Sequence, residues 1–304
     1  MSTDAHPDAP ARAPRAPALL RLLRPRQWVK NALVFAAPFA AGDLLDGDVP
    51  LRTAAAFVAL CLAASGTYCV NDAVDAESDR RHPVKRRRPV ASGEVAVGTA
   101  LALGGLLLAA GVAVAAVVDP HLLLVVVCYV GLTVAYSWRL KHVPVLDIAA
   151  IAGGFILRAV AGGAAAPVPI SQWFLIVTGF GSLFVVAGKR SAEHLDLGDE
   201  AGAVRTTLAH YSAEFLRFVR SMAGSACVLA YCLWAFERAD ELRAGEVWYE
   251  LSIIPFVLGV LHYALRLEQG AGAAPEDLVL RDRTLQAIGA VWLVVFALGV
   301  AGAT

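Results

Sequence analysis

Apolar blocks of about twenty residues recur along this chain, and they leave few folds open. Nine such blocks lie near residues 29–45, 51–71, 97–118, 120–138, 144–165, 170–188, 212–236, 247–267 and 285–303. A helix of that length crosses the hydrocarbon core of a bilayer with every backbone polar group satisfied internally. The 304 residues are 58% hydrophobic and 17% charged, against roughly 45–50% and about 25% in a soluble domain. The fold class expected is therefore all-α, a polytopic membrane protein of nine transmembrane helices. The block at 29–45 has the shortest clean apolar run, and a tilted helix starting before Trp28 is one way for it to span. Residues 1–18, rich in Ala, Pro and Asp, are expected to be a disordered arm, and no cleavable leader is expected.

Lys and Arg are distributed unevenly over the two faces that nine spans define. One face takes the N-terminal arm and the loops near 72–96, 139–143, 189–211 and 268–284; with Arg217, Arg220 and Arg266 at adjoining helix ends it carries 22 of the 26 Lys and Arg residues. The other takes Arg52, Arg238 and Arg243, while Arg158 falls within a span. The positive-inside rule makes the basic face cytoplasmic. Cys61, Cys69, Cys128, Cys227 and Cys232 form no metal-ligand spacing and read as small buried hydrophobes. Trp28, Trp138, Trp173 and Trp248 read as interfacial anchors, and Gly153-Gly154 and Gly162-Gly163 as sites of close helix packing.

Where the second apolar block meets the basic loop, the chain reads Asn71-Asp72-x-x-Asp75-x-x-x-Asp79. On a continuous helix this spacing puts Asp72, Asp75 and Asp79 on one face. Clustered carboxylates repel one another unless a cation lies between them, and at a membrane rim Mg2+ carrying a diphosphate answers that need. Lys85, Arg86 and Arg88 follow within a run of cations suited to further phosphate oxygens. Two more polar clusters fall on the same face: Tyr136, Ser137, Arg139 and Lys141 with Asp147, and Lys189, Arg190, Glu193 and His194. Asp147, Gly154 and Arg158 share a helix face, but Asp147 and Arg158 lie too far apart along the axis to pair. A cation within a span points to a wet cavity or to a structural pairing with a carbonyl or carboxylate. Plain topology remains an alternative for the basic loop, salt bridging for the aspartates, and an ordinary helical ion pair for Lys189, Arg190 and Glu193.

These residues resemble a known family. Asn71-Asp72-x-x-Asp75-x-x-x-Asp79, followed by Lys85-Arg86-x-Arg88-Pro89 and Ser92-Gly93, is similar to the first motif of the UbiA superfamily of intramembrane prenyltransferases. The resemblance implies a single domain over residues 19–304, with nine helices around a central cavity open to the cytoplasmic side. It also implies Mg2+ and a diphosphate at Asp72, Asp75 and Asp79. The usual second aspartate motif is replaced by Gly188-Lys189-Arg190-Ser191-Ala192-Glu193-His194, which favours a substrate bringing extra phosphate. Arg24-Pro25-x-Gln27-Trp28-x-Lys30-Asn31, Tyr136-Ser137-x-x-Leu140-Lys141, Asp147 and Lys189-Arg190 together resemble the decaprenyl-phosphate phosphoribosyltransferase branch. That branch supplies the arabinose donor of the actinobacterial cell wall.

The resemblance sets the expected roles. Phosphoribosyl diphosphate would be the donor, polyprenyl phosphate the acceptor and Mg2+ the cofactor, held by Asp72, Asp75 and Asp79. Lys85, Arg86 and Arg88 would close over the diphosphate. Asn71, Tyr136 and Lys141 would orient the donor, Asp147 would accept from ribose hydroxyls, and Lys189 and Arg190 would hold a phosphate. Lys30, Arg158 and Glu193 complete the expected substrate-binding set. The protein would lie in a bacterial plasma membrane, with N-terminus and site cytoplasmic; no nucleic acid is expected, and a homo-oligomer is compatible. Two other readings stay open: an ordinary prenyl transfer from a prenyl diphosphate, and a lipid-phosphate carrier without catalysis.

Overall fold

The computed structural model describes residues 17–82, 84–197, 206–241, 246–270 and 275–303. Residues 1–16 of the expected arm lie outside them, and helix starts at Ala18. Among the described residues every regular element is helical. Among the described residues eight helices are long and apolar enough to cross a membrane, by length and composition. They are α3 (Val49–Val74), α5 (Val97–Val118), α6 (Pro120–Trp138), α7 (Leu146–Ala165), α8 (Gln172–Leu197), α9 (Ala213–Glu241), α10 (Glu246–Glu268) and α12 (Arg283–Ala303). Short helices α1 (Ala18–Leu23), α2 (Ala36–Ala41), α4 (Ala76–Arg81) and α11 (Pro275–Arg281) complete the set.

The first apolar block departs from a regular span. Pro25–Phe35 winds as a 3-10 helix and passes into α2. Its apolar run is short, and Pro25 and Pro38 fall at its start and within α2. A 3-10 helix rises about 2.0 Å per residue, against about 1.5 Å in an α-helix. The 11 residues of 3-10 helix and the 6 of α2 therefore reach about 30 Å, comparable to a hydrocarbon core. The tighter winding gives a short segment the reach of a longer one.

Helix contacts rest on close approach rather than on greasiness, because lipid is as apolar as any leucine. At Gly66 of α3 an added Cβ would lie 2.8 Å from Leu108 Cγ and 2.9 Å from the Gly104 carbonyl oxygen of α5. Gly162 of α7 meets the Val34 carbonyl of the first segment so closely that no side chain fits between them. α3 is the hub, packed against the first segment and α5, α6 and α7. A second half pairs α8 with α9 and α10 with α12. Its core is an aromatic cluster in which Tyr231, Trp234, Tyr249 and Phe296 are buried.

Trp28 is partly buried, and its Nε1 donates to Ser65 Oγ at 3.0 Å, which ties the first segment to α3. One of the sequence expectations changes here. Cys128 is exposed on α6, while Cys61, Cys69 and Cys227 are buried.

Candidate functional site at the helix ends

The aspartates sit where α3 stops. Asp75 is the last cap of α3 and the first of α4, with ψ near 0°. The helix loosens at Asp75, yet Asp72 and Asp79 still face the same side, since both reach one nitrogen of Arg88. Asp72 and Asp79 are buried, and Arg88 stands between them. Its Nη1 reaches Asp79 Oδ2 at 2.7 Å and Asp72 Oδ1 at 3.1 Å. Arg24 Nη2 adds a second cation at 2.6 Å from Asp72 Oδ1, and its guanidinium lies 4.7 Å from the Tyr68 ring centroid. Arg24 holds this position from a left-handed backbone with φ of 53°, uncommon for a residue with a side chain. Asp75 is half-buried. Asn71 Nδ2 donates to Ser137 Oγ at 2.9 Å and ties α3 to the end of α6.

Arg88 thus pairs with the aspartates, whereas the basic run suggested that it would close over a substrate. Arg86 is exposed, and Lys85 is partly buried beside it. Among the described residues no group of three or more His, Cys, Asp or Glu side chains could hold a metal ion. Mg2+ needs no such cage, since it commonly takes one or two carboxylates and draws the rest of its shell from phosphate and water. The buried Asp72 Oδ2 has no hydrogen-bond partner, although Oδ1 of the same carboxylate has two. An unanswered anionic oxygen beside a half-buried aspartate fits such an ion.

A second cluster centres on Asp147, at the start of α7 and wholly buried. Its Oδ2 accepts from Arg190 Nε at 3.1 Å and from Thr207 Oγ1 at 3.4 Å. Its Oδ1 accepts from the Tyr211 hydroxyl. That hydroxyl in turn accepts the Val145 backbone N–H at 2.6 Å, at a residue whose φ is 68°. A β-branched residue in that region is strained, and Tyr211 and Asp147 hold it there. Burial first, and then the hydrogen bond to Asp147, push the Tyr211 phenol above its ordinary range. Arg190 is 1% exposed, and its Nη1 also reaches Glu193 Oε2 at 2.8 Å while Nη2 faces the Tyr136 hydroxyl at 3.4 Å. Asp147 is thus enclosed, with both carboxylate oxygens engaged by Arg190, Thr207 and Tyr211.

The remaining expected residues divide by depth. Asn71, Tyr136, Ser137 and Arg158 contribute the polar part of the lining of a cavity of about 180 Å³ between α3, α6 and α7. Arg158 bonds to the Gly154 carbonyl, Asn31 and Tyr129, and no carboxylate pairs with it among the described residues. Lys189 and Lys141 are half-exposed near the rim, and among the described residues the Lys189 ammonium makes no hydrogen bond or ion pair. Lys30 Nζ is tied to Gln27 Oε1 at 2.5 Å. Thr207 and Tyr211 were not singled out from sequence. They lie in an aperiodic connector before α9, where nothing local marks a residue that reaches a buried carboxylate.

A helical membrane bundle with carboxylates and guanidiniums gathered at one set of helix ends defines a class of intramembrane enzymes that handle phosphorylated lipids. The chain belongs to the UbiA prenyltransferase family, which matches residues 32–281. It is 43% identical to the decaprenyl-phosphate phosphoribosyltransferase of Mycolicibacterium smegmatis, over 96% of this chain and 95% of that one. It is also 43% identical to the protein of that name from Mycobacterium tuberculosis, over 93% and 94%. In fold it resembles a UbiA homolog from Archaeoglobus fulgidus bound to GPP and Mg2+, with a TM-score of 0.71 and 18% identity over 93% of this chain and 98% of that one.

Proposed function

We propose that this protein transfers a 5-phosphoribosyl group from phosphoribosyl diphosphate to a polyprenyl phosphate, decaprenyl phosphate by analogy with its relatives, and releases pyrophosphate. The observation that carries the reading is the full-length similarity to enzymes of that name, on a chain whose site residues gather at one rim. The product would serve arabinan precursor synthesis for the cell wall. We place the protein in the plasma membrane with its N-terminus and site facing the cytoplasm, as its Lys and Arg distribution favours.

In this scheme the donor diphosphate lies at the rim, where Asp72 and Asp75 would hold Mg2+. Bound there, that ion would offset the charge that gathers on the departing pyrophosphate. Arg88 keeps Asp72 and Asp79 in place. Asn71, fixed to Ser137, orients the donor. Asp147 and Tyr211 hold Arg190 toward Tyr136, and Lys189 offers an uncommitted ammonium to a phosphate. A lipid phosphate oxygen attacks ribose C1 as the bond from C1 to the pyrophosphate oxygen breaks. The acceptor is already an anion, so no general base is required. Attack opposite the leaving group inverts C1. Rate comes from positioning and charge compensation.

The polyprenyl tail needs an apolar path. A groove of about 500 Å³ runs beside the first segment, lined by Phe39, Trp234, Phe256, Trp292 and Phe296 among others. It is open on one side, as a chain too long to be enclosed requires. The cationic Lys189-Arg190 segment, in place of a second aspartate cluster, favours this donor over a prenyl diphosphate. The test is to incubate purified protein with polyprenyl phosphate and either labelled phosphoribosyl diphosphate or labelled prenyl diphosphate, then weigh the lipid product. A gain of one phosphoribosyl unit is expected. Prenylation instead, or lipid flux in liposomes without any product, would replace the proposal.

A further inference from the structure

Arg158 lies about 18 Å along α7 from Leu146, at about 1.5 Å per residue, deep within the span. It is 8% exposed. Its guanidinium donates to Asn31 Oδ1 at 2.8 Å, to the Gly154 carbonyl at 2.9 Å and to the Tyr129 hydroxyl at 2.8 Å. The Tyr129 ring centroid is 4.7 Å away. Every one of these partners is neutral. The other buried arginines differ: Arg190 has Asp147 and Glu193, and Arg220 has Glu268. A charge at this depth is costly unless an opposite charge or a wet cavity answers it. Arginine has no escape by losing its proton, as lysine has.

The second observation is the cavity itself. Among the described residues Arg158 is the one charged side chain in its lining, and Thr67, Asn71, Thr133, Tyr136 and Ser137 supply neutral polar groups. Hydrogen bonds to three partners leave guanidinium N–H donors spare. The space therefore has mixed apolar and polar walls, with a cation and, among the described residues, no carboxylate to answer it.

We infer that Arg158 forms the floor of a phosphate pocket that receives the donor's phosphate at ribose C5, below the rim that holds its diphosphate. This rests on the phosphoribosyl transfer proposed above. The acceptor lipid carries the same phosphate chemistry, but two features favour the donor. The cavity shares Asn71 and Tyr136 with the rim. The first segment also stands between the cavity and the apolar groove: Asn31 and the Val34 carbonyl face α7, whereas Val29, Leu33 and Ala36 line the groove. A polyprenyl chain lying in that groove is thus kept apart from Arg158 by the first segment. Such a pocket selects its donor, because a ribose without its phosphate leaves the buried charge unanswered.

The test supplies an internal counter-ion. Asn31→Asp keeps the shape of the Arg158 Nε partner and adds a carboxylate, so folding should survive. The KM for phosphoribosyl diphosphate should rise about tenfold or more, and the preference over ribose 1-diphosphate should shrink. Arg158→Gln should do the same, with Arg158→Lys retaining part of the preference. An unchanged donor KM in Asn31→Asp would overturn the assignment. So would a rise in the polyprenyl phosphate KM alone, or an equal loss of kcat with both donors. Binding of ribose 5-phosphate, followed by thermal shift, decides the matter without turnover. A shift in the wild type that Asn31→Asp abolishes sustains the pocket even if no phosphoribosyl transfer is found, and equal shifts overturn it.

Discussion

Asp147→Asn is the sharpest probe of the buried cluster, because it changes charge and barely changes shape. Asp147 Oδ2 accepts from Arg190 Nε at 3.1 Å, and Oδ1 accepts from Tyr211. Arginine can only donate, so the new amide must turn its oxygen to Arg190 and its NH2 to Tyr211. The Tyr211 oxygen already receives the Val145 N–H at 2.6 Å, and its own O–H loses its acceptor. Turning an ion pair into a bond from the guanidinium to a neutral amide oxygen costs about 1 kcal/mol, and the orphaned phenol costs roughly 1–3 kcal/mol more. The expected loss is about 2–4 kcal/mol. Asp147→Ala removes the partner altogether and should cost about 3–5 kcal/mol, with Glu193 the remaining carboxylate on Arg190. Equilibrium unfolding in mixed detergent, followed through the six tryptophans, measures both. Tyr211→Phe should cost less in the Asp147→Asn background than in the wild type, with a coupling of about 1 kcal/mol. If Asp147→Asn lies within about 0.5 kcal/mol of wild type, or if the two changes simply add, the cluster does not work as described.

Other outcomes are expected elsewhere. Mg2+ with pyrophosphate should raise the unfolding midpoint of the wild type and scarcely that of Asp72→Asn; equal shifts would remove Asp72 Oδ2 from the ion's shell. Lys189→Ala should leave stability within about 0.5 kcal/mol and raise the KM of the donor or the lipid phosphate, so unchanged KM values for both would refute its role. Tyr211 has a phenol raised by folding, so its contribution is complete below the ordinary value of 10.0 and is lost as pH rises beyond it. Tyr211→Phe should therefore flatten the alkaline limb of a stability profile, and an identical limb would exclude Tyr211 as its source. Gly162→Ala drives a methyl into the Val34 carbonyl and should cost about 1–3 kcal/mol; an unchanged unfolding midpoint would contradict the close contact.

Much of this molecule was legible before folding was considered. Hydropathy is a local sum, and eight of the nine apolar blocks became helices fit to span. Polar residues so close to span ends have little room to go anywhere but the rim, so Asp72, Tyr136 and Lys189 could be gathered from order alone. Partnership was another matter. The spacing of Asp72 and Asp79 put them on one side, but that Arg88, and not a substrate, occupies the space between them was not legible from it. Asp147 read as a substrate contact, and nothing local showed that Arg190, Thr207 and Tyr211 stand around it. Arg158 carried two readings because its partner Asn31 is 127 residues away. Periodicity and composition act over a turn or a span, and they determined that the chain is a bundle and which end of it is polar. Ion pairs form between side chains that only packing brings together, so which charges cancel, and which one remains unanswered in the cavity, was decided by the tertiary structure.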